Sequence, residues 1–302
     1  MKAVVIDGFG GVDQLHIQNV DDPQVGAGEV LVRVRATSVN PVDLKIRSGA
    51  AAKRMGVELP AILGRDLAGE VVRAGEGVVG FPKGMRVMAL ANGTYAELTT
   101  AKADVLAPIP DKLSFEQAAA LPLVLLTGAQ LIERAIRVEP GWTVLVLGAL
   151  GGVGRSAVHV ALKHGAKVIA GVRATQTKEA QSLGVQQVIS TDDEKQLELL
   201  HDLDAVADTV DGPTAARALK ALKPGGVFGT VLGPPADAAQ HNVRIAHLQS
   251  VPDASRLYEL ADEVARGEFK IPIAKVFPLD QIQEAHREAE NHPSGKIVIK
   301  VA

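Results

Sequence analysis

The 302-residue chain contains no cysteine. Disulfides, thiolate zinc sites and a cysteine nucleophile are therefore excluded. Tyrosine occurs only at Tyr95 and Tyr258, so phenolic proton donors are scarce. No uncharged apolar run reaches the roughly 20 residues that a membrane-spanning helix needs. A large net charge is also missing. At −3 there is no electrostatic case for nucleic acid or an anionic membrane surface as partner. The opening Met1-Lys2-Ala3-Val4-Val5-Ile6-Asp7 reads as a strand followed closely by a charge, not as a signal peptide, and the cytoplasm is the expected location. What remains is a globular profile, 47% hydrophobic and 22% charged, long enough for two domains with real cores.

The most informative stretch runs from Trp142 to Arg173. Residues 143–147 are a short apolar run rich in β-branched residues, which predicts a buried strand. Gly148-Ala149-Leu150-Gly151-Gly152-Val153-Gly154 follows at once. Then 156–164 has helical spacing, and 167–172 predicts a second buried strand. Strand, glycine turn, helix and strand within about thirty residues is the setting a dinucleotide fingerprint requires. The glycines permit a tight turn, close approach of the backbone to a pyrophosphate, and close packing of helix on strand. The helix N-terminus adds free N–H groups and partial positive charge. One position departs from G-x-G-x-x-G: Ala149 stands at the first glycine.

An NAD site usually carries Asp or Glu at the end of the second strand to bond the ribose 2′-hydroxyl. From Arg155 to Lys178 there is no acidic residue, and the strand ends on Arg173 with Lys178 soon after. That favours NADP(H) over NAD(H), with Arg173 and Lys178 gripping the 2′-phosphate. The alternative is that both are solvated charges opening a helix.

Residues 1–123 predict short strands between Gly, Pro and Asn turn signals, and hence a compact barrel-like domain. Ser114 and Gln117 make a capping signal, and a longer helix is expected over 125–138. Beyond 143, strands at 187–189, 205–210 and 227–232 alternate with helices at 178–183, 194–200 and 214–222. This alternation predicts a doubly wound parallel sheet that binds ligands at the carboxyl ends of its strands. Asp208, Val210, Leu232 and Gly233 lie at such ends. An amphipathic helix over 253–266, a strand over 271–277 kept to an edge by Pro272, a helix over 280–290 and a strand over 294–301 complete the chain. The β-rich tail is expected to rejoin the first domain. The expected boundaries are thus 1–123 with 268–302 for one domain and 124–267 for the other.

Six segments in this order resemble the zinc-free medium-chain dehydrogenases/reductases, in the NADPH:quinone oxidoreductase branch. They are SVNPVDLKIRSG at 38–49, LGRDLAGEVV at 63–72, GTYAEL at 93–98, PDKLSFEQAAALPLVLLTGAQ at 110–130, LGALGGVG at 147–154 and GKIVIKV at 295–301. The resemblance covers nearly the whole chain. It implies a GroES-like β-barrel catalytic domain with a Rossmann NADP-binding domain inserted before the last strands. It implies that Asn40 and Thr127 face the nicotinamide end and act in catalysis. Gly151, Gly152 and Val153 would hold the pyrophosphate, with Ala149 beside them. Arg173 and Lys178 would take the 2′-phosphate, and Thr191 would lie on the adenine side. Asp208 to Val210 and Leu232-Gly233 would line the cofactor, and Lys296 would reach toward it.

The departures bear on chemistry. Zinc alcohol dehydrogenases carry cysteine where Asn40 stands and Gly-His-Glu where Gly64-Arg65-Asp66 stands, so no catalytic metal is expected. The eight histidines form no paired ligand motif. Enoyl reductases of this superfamily usually offer a tyrosine acid in the region 48–56, which has none here. Tyr95 reads as packing. Asp43 with Arg47, and Arg65 with Asp66, are candidate structural pairs. The expected activity is hydride transfer from NADPH to a quinone or similar conjugated carbonyl, by proximity and orientation in a dry cleft. Asn40 either bonds the substrate oxygen or ribose, or only shapes the turn before Pro41. Reduction of the C=C bond of an alkenal or enone, and NADPH binding without turnover, stay open as alternatives. A homodimer is expected, with 242–251 as the sheet edge that joins two copies.

Overall fold

The computed structural model describes residues 1–301. Two compact units emerge, Met1–Leu123 with the chain from Pro252 onward, and Val124–Val251. Along the first segment lie β1 (Lys2–Ile6), β2 (His16–Asn19), β3 (Glu29–Val39), α1 (Pro41–Arg47), β4 (Ala61–Ile62), β5 (Asp66–Ala74), β6 (Arg86–Leu90), β7 (Leu98–Lys102), β8 (Ala107–Pro108) and α2 (Phe115–Ala119). Next come α3 (Pro122–Gln130), continued by a π-helical turn at Leu131–Ile136, then β9 (Thr143–Leu147), α4 (Gly152–Lys163), β10 (Lys167–Val172), α5 (Thr177–Ala180), β11 (Gln187–Ser190) and α6 (Glu194–Glu198). β12 (Leu203–Asp208), α7 (Gly212–Lys220), β13 (Leu222–Thr230), β14 (Arg244–His247), α8 (Ala254–Arg266), β15 (Ile273–Pro278), α9 (Ile282–Glu290) and β16 (Lys296–Lys300) follow.

The first unit is built on β3. Its Val30, Val32 and Val34 are fully buried and alternate with the exposed Arg33, as a half-buried strand should. Being long, β3 serves several neighbours. It pairs with β7 over Glu29 to Arg33, with β5 over Val30 to Ala36, and with the returning β16 over Ala36 to Val39. The sheet order is β15-β16-β3-β5-β6-β8, and β1 forms a second small sheet with β2 and β4. The C-terminal strand therefore sits inside the first unit, next to the residues that open α1. β15 lies at the sheet edge as its preceding proline predicts.

The second unit is a six-stranded, all-parallel sheet in the order β11-β10-β9-β12-β13-β14. That is the 3-2-1-4-5-6 order of a doubly wound dinucleotide fold, with its switch point between β9 and β12. Val144 to Leu147 of β9 are all fully buried, which accounts for the unbroken apolar run there. The mixed α/β class, with a barrel-like β domain and a doubly wound sheet, agrees with the sequence.

Several boundaries differ. The helix expected at 156 starts at Gly152, because the glycine turn itself forms its first turn. The helix expected from 125 starts at Pro122, which occupies its first turn, and ends as a π turn closed by Arg137 N–H on Ile132 O at 2.9 Å. The second domain boundary lies at Val251/Pro252, not at 267/268. Helix α8 belongs to the first unit because it packs on β8, with Leu257, Leu260 and Ala261 buried.

Candidate functional site

The second unit holds the glycine turn at the C-terminal end of β9. Gly148 leaves the strand at φ +71°, and its N–H is fixed by Gly171 O of β10 at 2.9 Å. A Cβ on Gly154 would stand 2.1 Å from Gly148 O, so the helix can approach the turn only because that atom is missing. Gly151 is the N-cap and has no side chain to cap the helix. The first-turn N–H groups therefore lack intrahelical or side-chain acceptors and are free for an anion. Ala149 is fully buried, so its methyl group packs inward where the motif usually has glycine. The turn fits the pyrophosphate of a dinucleotide, which would lie on Gly151, Gly152 and Val153. Gly154→Ala is expected to lower stability by about 1–3 kcal/mol through overpacking. Dinucleotide affinity should fall with it. A melting curve with a cofactor titration checks both, and an unchanged affinity would detach the turn from binding.

At the end of β10, Arg173 is exposed and leans on Gln176, with its Nε 3.3 Å from Gln176 Oε1. Lys178 is exposed one turn on. Thr191 ties the end of β11 to this point, its N–H and hydroxyl both donating to Val172 O at 2.8 and 3.1 Å. The next residue is one the sequence count missed. Asp192 accepts from the Ala174 N–H at 2.6 Å, so a carboxylate does reach the end of β10, delivered by the following strand. No spacing rule within a single βαβ unit would have found it.

Asp208 closes β12. Its Oδ1 accepts from the N–H groups of Val210 and Asp211 at 3.0 and 3.1 Å, and its Oδ2 from Thr230 Oγ1 at 2.9 Å. Burial raises its pKa against those three bonds. The same Thr230 oxygen accepts from the N–H groups of Leu232 and Gly233. Asp208 thus shapes the two strand-end loops that carry Val210, Leu232 and Gly233. Thr127, in α3, is buried, and its Oγ1 has no hydrogen-bond partner among the described residues. A buried hydroxyl without a partner is costly, which fits a group that a ligand satisfies.

The first unit contains a buried polar cluster. Asp66 Oδ2 accepts from Ser38 Oγ at 2.5 Å and from Asn40 Nδ2 at 2.7 Å, while Oδ1 accepts from Leu123 N–H at 2.7 Å. The Lys296 ammonium donates to Asn40 Oδ1 and stands 3.4 Å from both Val39 O and Asp66 Oδ2. Asn40 is therefore held at both ends of its amide, and Lys296 is engaged within its own unit. The suggested Arg65–Asp66 pair does not form. Arg65 lies just before β5, and its Nη1 turns to Asn92 Oδ1 at 2.5 Å.

Asp43 and Arg47 do not pair either. Asp43 Oδ2 accepts from Asn40 N–H at 2.8 Å, and its Oδ1 has no partner among the described residues. Burial pushes Asp43 up to about 7; Asp66 adds to the rise, while the Asn40 N–H, Lys296 and Arg65 oppose it. Arg47 pairs with Glu290 Oε1 at 2.5 Å and lies 3.2 Å from His286 Nδ1. Arginine can only donate, so Nδ1 accepts and His286 carries its proton on Nε2. That proton faces the Tyr95 oxygen at 3.3 Å, leaving the Tyr95 hydroxyl hydrogen for another acceptor. Burial, with the charges of Asp43 and Asp66, raises Tyr95 well above the usual phenol range. Tyr95 is fully buried packing, as read from the sequence, and also a polar link. The Asn40-x-x-Asp43 spacing is a helix-start signal that could have drawn notice to Asp43. Nothing in the sequence pointed to His286.

Comparison with known proteins agrees with this geometry. Residues 26–111 match the alcohol dehydrogenase GroES-like domain, and residues 183–299 match the zinc-binding dehydrogenase family. The quinone oxidoreductase of Mus musculus is 29% identical over 98% of this chain and 96% of its own. The chloroplastic NADPH-dependent alkenal/one oxidoreductase of Arabidopsis thaliana is 31% identical over 99% of this chain and 79% of its own. The solved quinone oxidoreductase from Coxiella burnetii superposes with a TM-score of 0.92 at 32% identity, covering 100% of this chain and 99% of that one. With the 3-2-1-4-5-6 sheet and the glycine turn, these relations place the chain in the medium-chain dehydrogenase/reductase family, in its quinone oxidoreductase branch.

Proposed function

We propose that the protein is an NADPH-dependent oxidoreductase that transfers hydride to a quinone or similar conjugated carbonyl without zinc. The observation that carries this is the glycine turn with its uncapped helix N-terminus at the first strand of a 3-2-1-4-5-6 sheet. When bound, the cofactor supplies the hydride. The chain's own residues bind and orient. Gly151 to Val153 offer N–H groups to the pyrophosphate, Thr127 offers its unsatisfied hydroxyl at the nicotinamide end, and Asp208 fixes the loops of Val210, Leu232 and Gly233. Arg173 and Lys178 attract the 2′-phosphate, with Thr191 on the adenine side. The zinc-free reading rests on charge. Where a metal site would gather anionic ligands around a divalent ion, Asp66 is already countered by the Lys296 ammonium, and Asn40 and Arg65 are poor zinc ligands. Two copies joined along the terminal strand β14 would extend the sheet, which supports a homodimer.

Asp192 tempers the NADPH preference by placing a negative charge beside Arg173. Titration of NADPH and NADH should show tighter NADPH binding. Arg173→Ala should lose roughly tenfold in NADPH affinity, one charge-assisted contact, with little change for NADH. Asp192→Asn should widen the preference. Equal affinities in all three proteins would sink the NADP assignment. Alkenal or enone reduction is the second reading, favoured by the Arabidopsis relative, and turnover of a quinone against an α,β-unsaturated aldehyde separates the two.

Among the described residues no helix is long and apolar enough to cross a membrane. A soluble, cytoplasmic site of action is part of this proposal.

A further inference from the structure

The asparagines of the chain are Asn19, Asn40, Asn92, Asn242 and Asn291. An asparagine amide can be attacked by the main-chain nitrogen that follows it, provided that nitrogen is unshielded and not tied up in a hydrogen bond. Asn40 is followed by Pro41, which has no N–H. The N–H groups after three others are engaged: Val20 donates to Met1 O at 2.9 Å, Val243 to His241 O at 2.9 Å and His292 to Ala289 O at 3.2 Å. Gly93 follows Asn92, and its N–H has no acceptor among the described residues.

Gly93 also leaves its nitrogen uncovered. It has no side chain, and the atoms nearest to where a Cβ would stand, Ile62 O and Thr99 Oγ1, are 3.9 Å away. Asn92 is exposed and Gly93 partly exposed, so water reaches the joint between them. The amide to be attacked is held in place. Arg65 Nη1 stands 2.5 Å from Asn92 Oδ1. Arginine only donates, so the amide atom facing it is the oxygen. A guanidinium there draws electron density from Cγ and stabilises negative charge as it builds on Oδ1.

We propose that Asn92-Gly93 is a site of spontaneous deamidation, in which Arg65 activates the side-chain amide and isoaspartate is the main product. A base in solvent removes the Gly93 N–H proton. The nitrogen forms a bond to Asn92 Cγ, and the C=O π electrons move onto Oδ1 beside Arg65. As they return, the Cγ–Nδ2 bond breaks, and Nδ2 takes a proton and leaves as ammonia. The cyclic imide then adds water. Attack at Cγ gives aspartate, and attack at the main-chain carbonyl carbon gives isoaspartate. Thr99 Oγ1 donates to the Asn92 main-chain O at 3.3 Å, which polarises that carbonyl and favours isoaspartate.

The two products differ in their effect on the fold. Ala91 N–H donates to Arg65 O at 2.9 Å and Tyr95 N–H to Leu63 O at 3.0 Å, so the joint is pinned to the neighbouring stretch on both sides. Aspartate keeps the main-chain length and gives Arg65 a charged partner. Isoaspartate routes the main chain through the former side chain and adds an atom between those two bonds. The pinned stretch should then loosen, with buried Tyr95 at its end.

The test ages the purified full chain in warm, mildly alkaline buffer. Peptide mass mapping locates the conversion of amide to acid, released ammonia counts it, and enzymatic carboxyl methylation with S-adenosylmethionine counts isoaspartate. Asn92 should convert well ahead of the exposed Asn19, Asn242 and Asn291. Gly93→Ala should nearly stop the reaction by covering the nitrogen. Arg65→Met should slow it about tenfold, the loss of one charge-assisted contact to the developing oxyanion, and Arg65→Lys, which keeps the charge without the fork, should fall between. Aged protein should melt below fresh protein, whereas Asn92→Asp should not. Asn92 left intact after another asparagine has converted, or equal rates in the natural chain and both Arg65 variants, would overturn the proposal. So would aspartate as the main product with an unchanged melting temperature.

Discussion

Replacing Lys296 with Met is expected to lower stability by about 3–5 kcal/mol, the range for breaking one side of a buried ion pair. The side chains are 8% exposed for Lys296 and 0% for Asp66, so water cannot take over the lost role. Met keeps the length and apolar stem but removes the ammonium. Asp66 would retain Ser38, Asn40 Nδ2 and Leu123 N–H, all neutral donors, around an uncompensated charge. Asn40 Oδ1 would lose the donor that fixes it. Denaturant unfolding measures the loss. Adding Asp66→Asn should restore part of it, because the remaining group no longer carries charge, and the double-mutant cycle gives the coupling. A single-variant loss under about 1 kcal/mol would mean that the pair behaves as a solvated surface contact. The same substitution releases the oxygen end of the Asn40 amide while its Nδ2 stays on Asp66, so any role of Asn40 toward cofactor or acceptor should loosen with it.

The second large effect is the pH dependence contributed by His286. Burial, aided by the Arg47 charge, lowers its pKa to about 3. The unfolded chain has an ordinary imidazole near 6.5. The folded pKa is depressed, so the contribution to stability is complete above the unfolded value. It is lost as pH falls from 6.5 toward 3, because the unfolded chain takes up a proton that the folded one refuses. Over that window the loss is on the order of 4 kcal/mol. His286→Gln stays neutral at every pH and can still accept from Arg47 and donate to Tyr95. It should therefore lose much less stability between pH 6.5 and 4 than the natural chain. Parallel pH profiles of the two proteins would refute the assignment. Asp43 works in the opposite direction. Its raised pKa favours the folded state in acid, and that contribution is lost as pH rises from about 4 through about 7. Over about pH 4 to 6.5 the two slopes oppose and largely cancel, so the His286 contribution is read as the difference between the natural chain and His286→Gln.

The strand, glycine turn and helix at 143–163 were legible because the signal is local. A phosphate-binding turn needs strand, glycines and helix in immediate succession, so 143–172 carried the signal by itself. The alternation of apolar strands and amphipathic helices gave the parallel sheet in the same way. The capping pair Ser114 and Gln117 was readable too, and the bonds between them are present at 2.8 and 3.2 Å. Helix α8 was assigned to the wrong domain. Its periodicity shows which face is buried and not which neighbour buries it.

The charged pairs failed for a related reason. Asp43 with Arg47 and Arg65 with Asp66 were suggested by nearness along the chain. Arg65 met Asn92, 27 positions on, and Arg47 met Glu290 from a helix 243 positions away. The expectation of NADP meets the same limit, since an acid absent between Arg155 and Lys178 arrives through Asp192, just after the next strand.

The sequence by itself determined the absence of thiol chemistry, the doubly wound sheet, the position of the glycine turn and the lack of a tyrosine at 48–56. Each depends on composition or on contacts within about thirty residues, where residue type and periodicity limit the options. Only the tertiary structure decided that Asp43, Arg65, Asp66, Tyr95, His286 and Lys296 share one buried neighbourhood. Those residues come from α1, β5, β16, α9 and the chain beside them, and are joined by strand pairings such as Val298 with Ser38. Ionisation there follows from burial and from which charge lies opposite which, and neither quantity exists until the sheet has brought the two ends of the chain together.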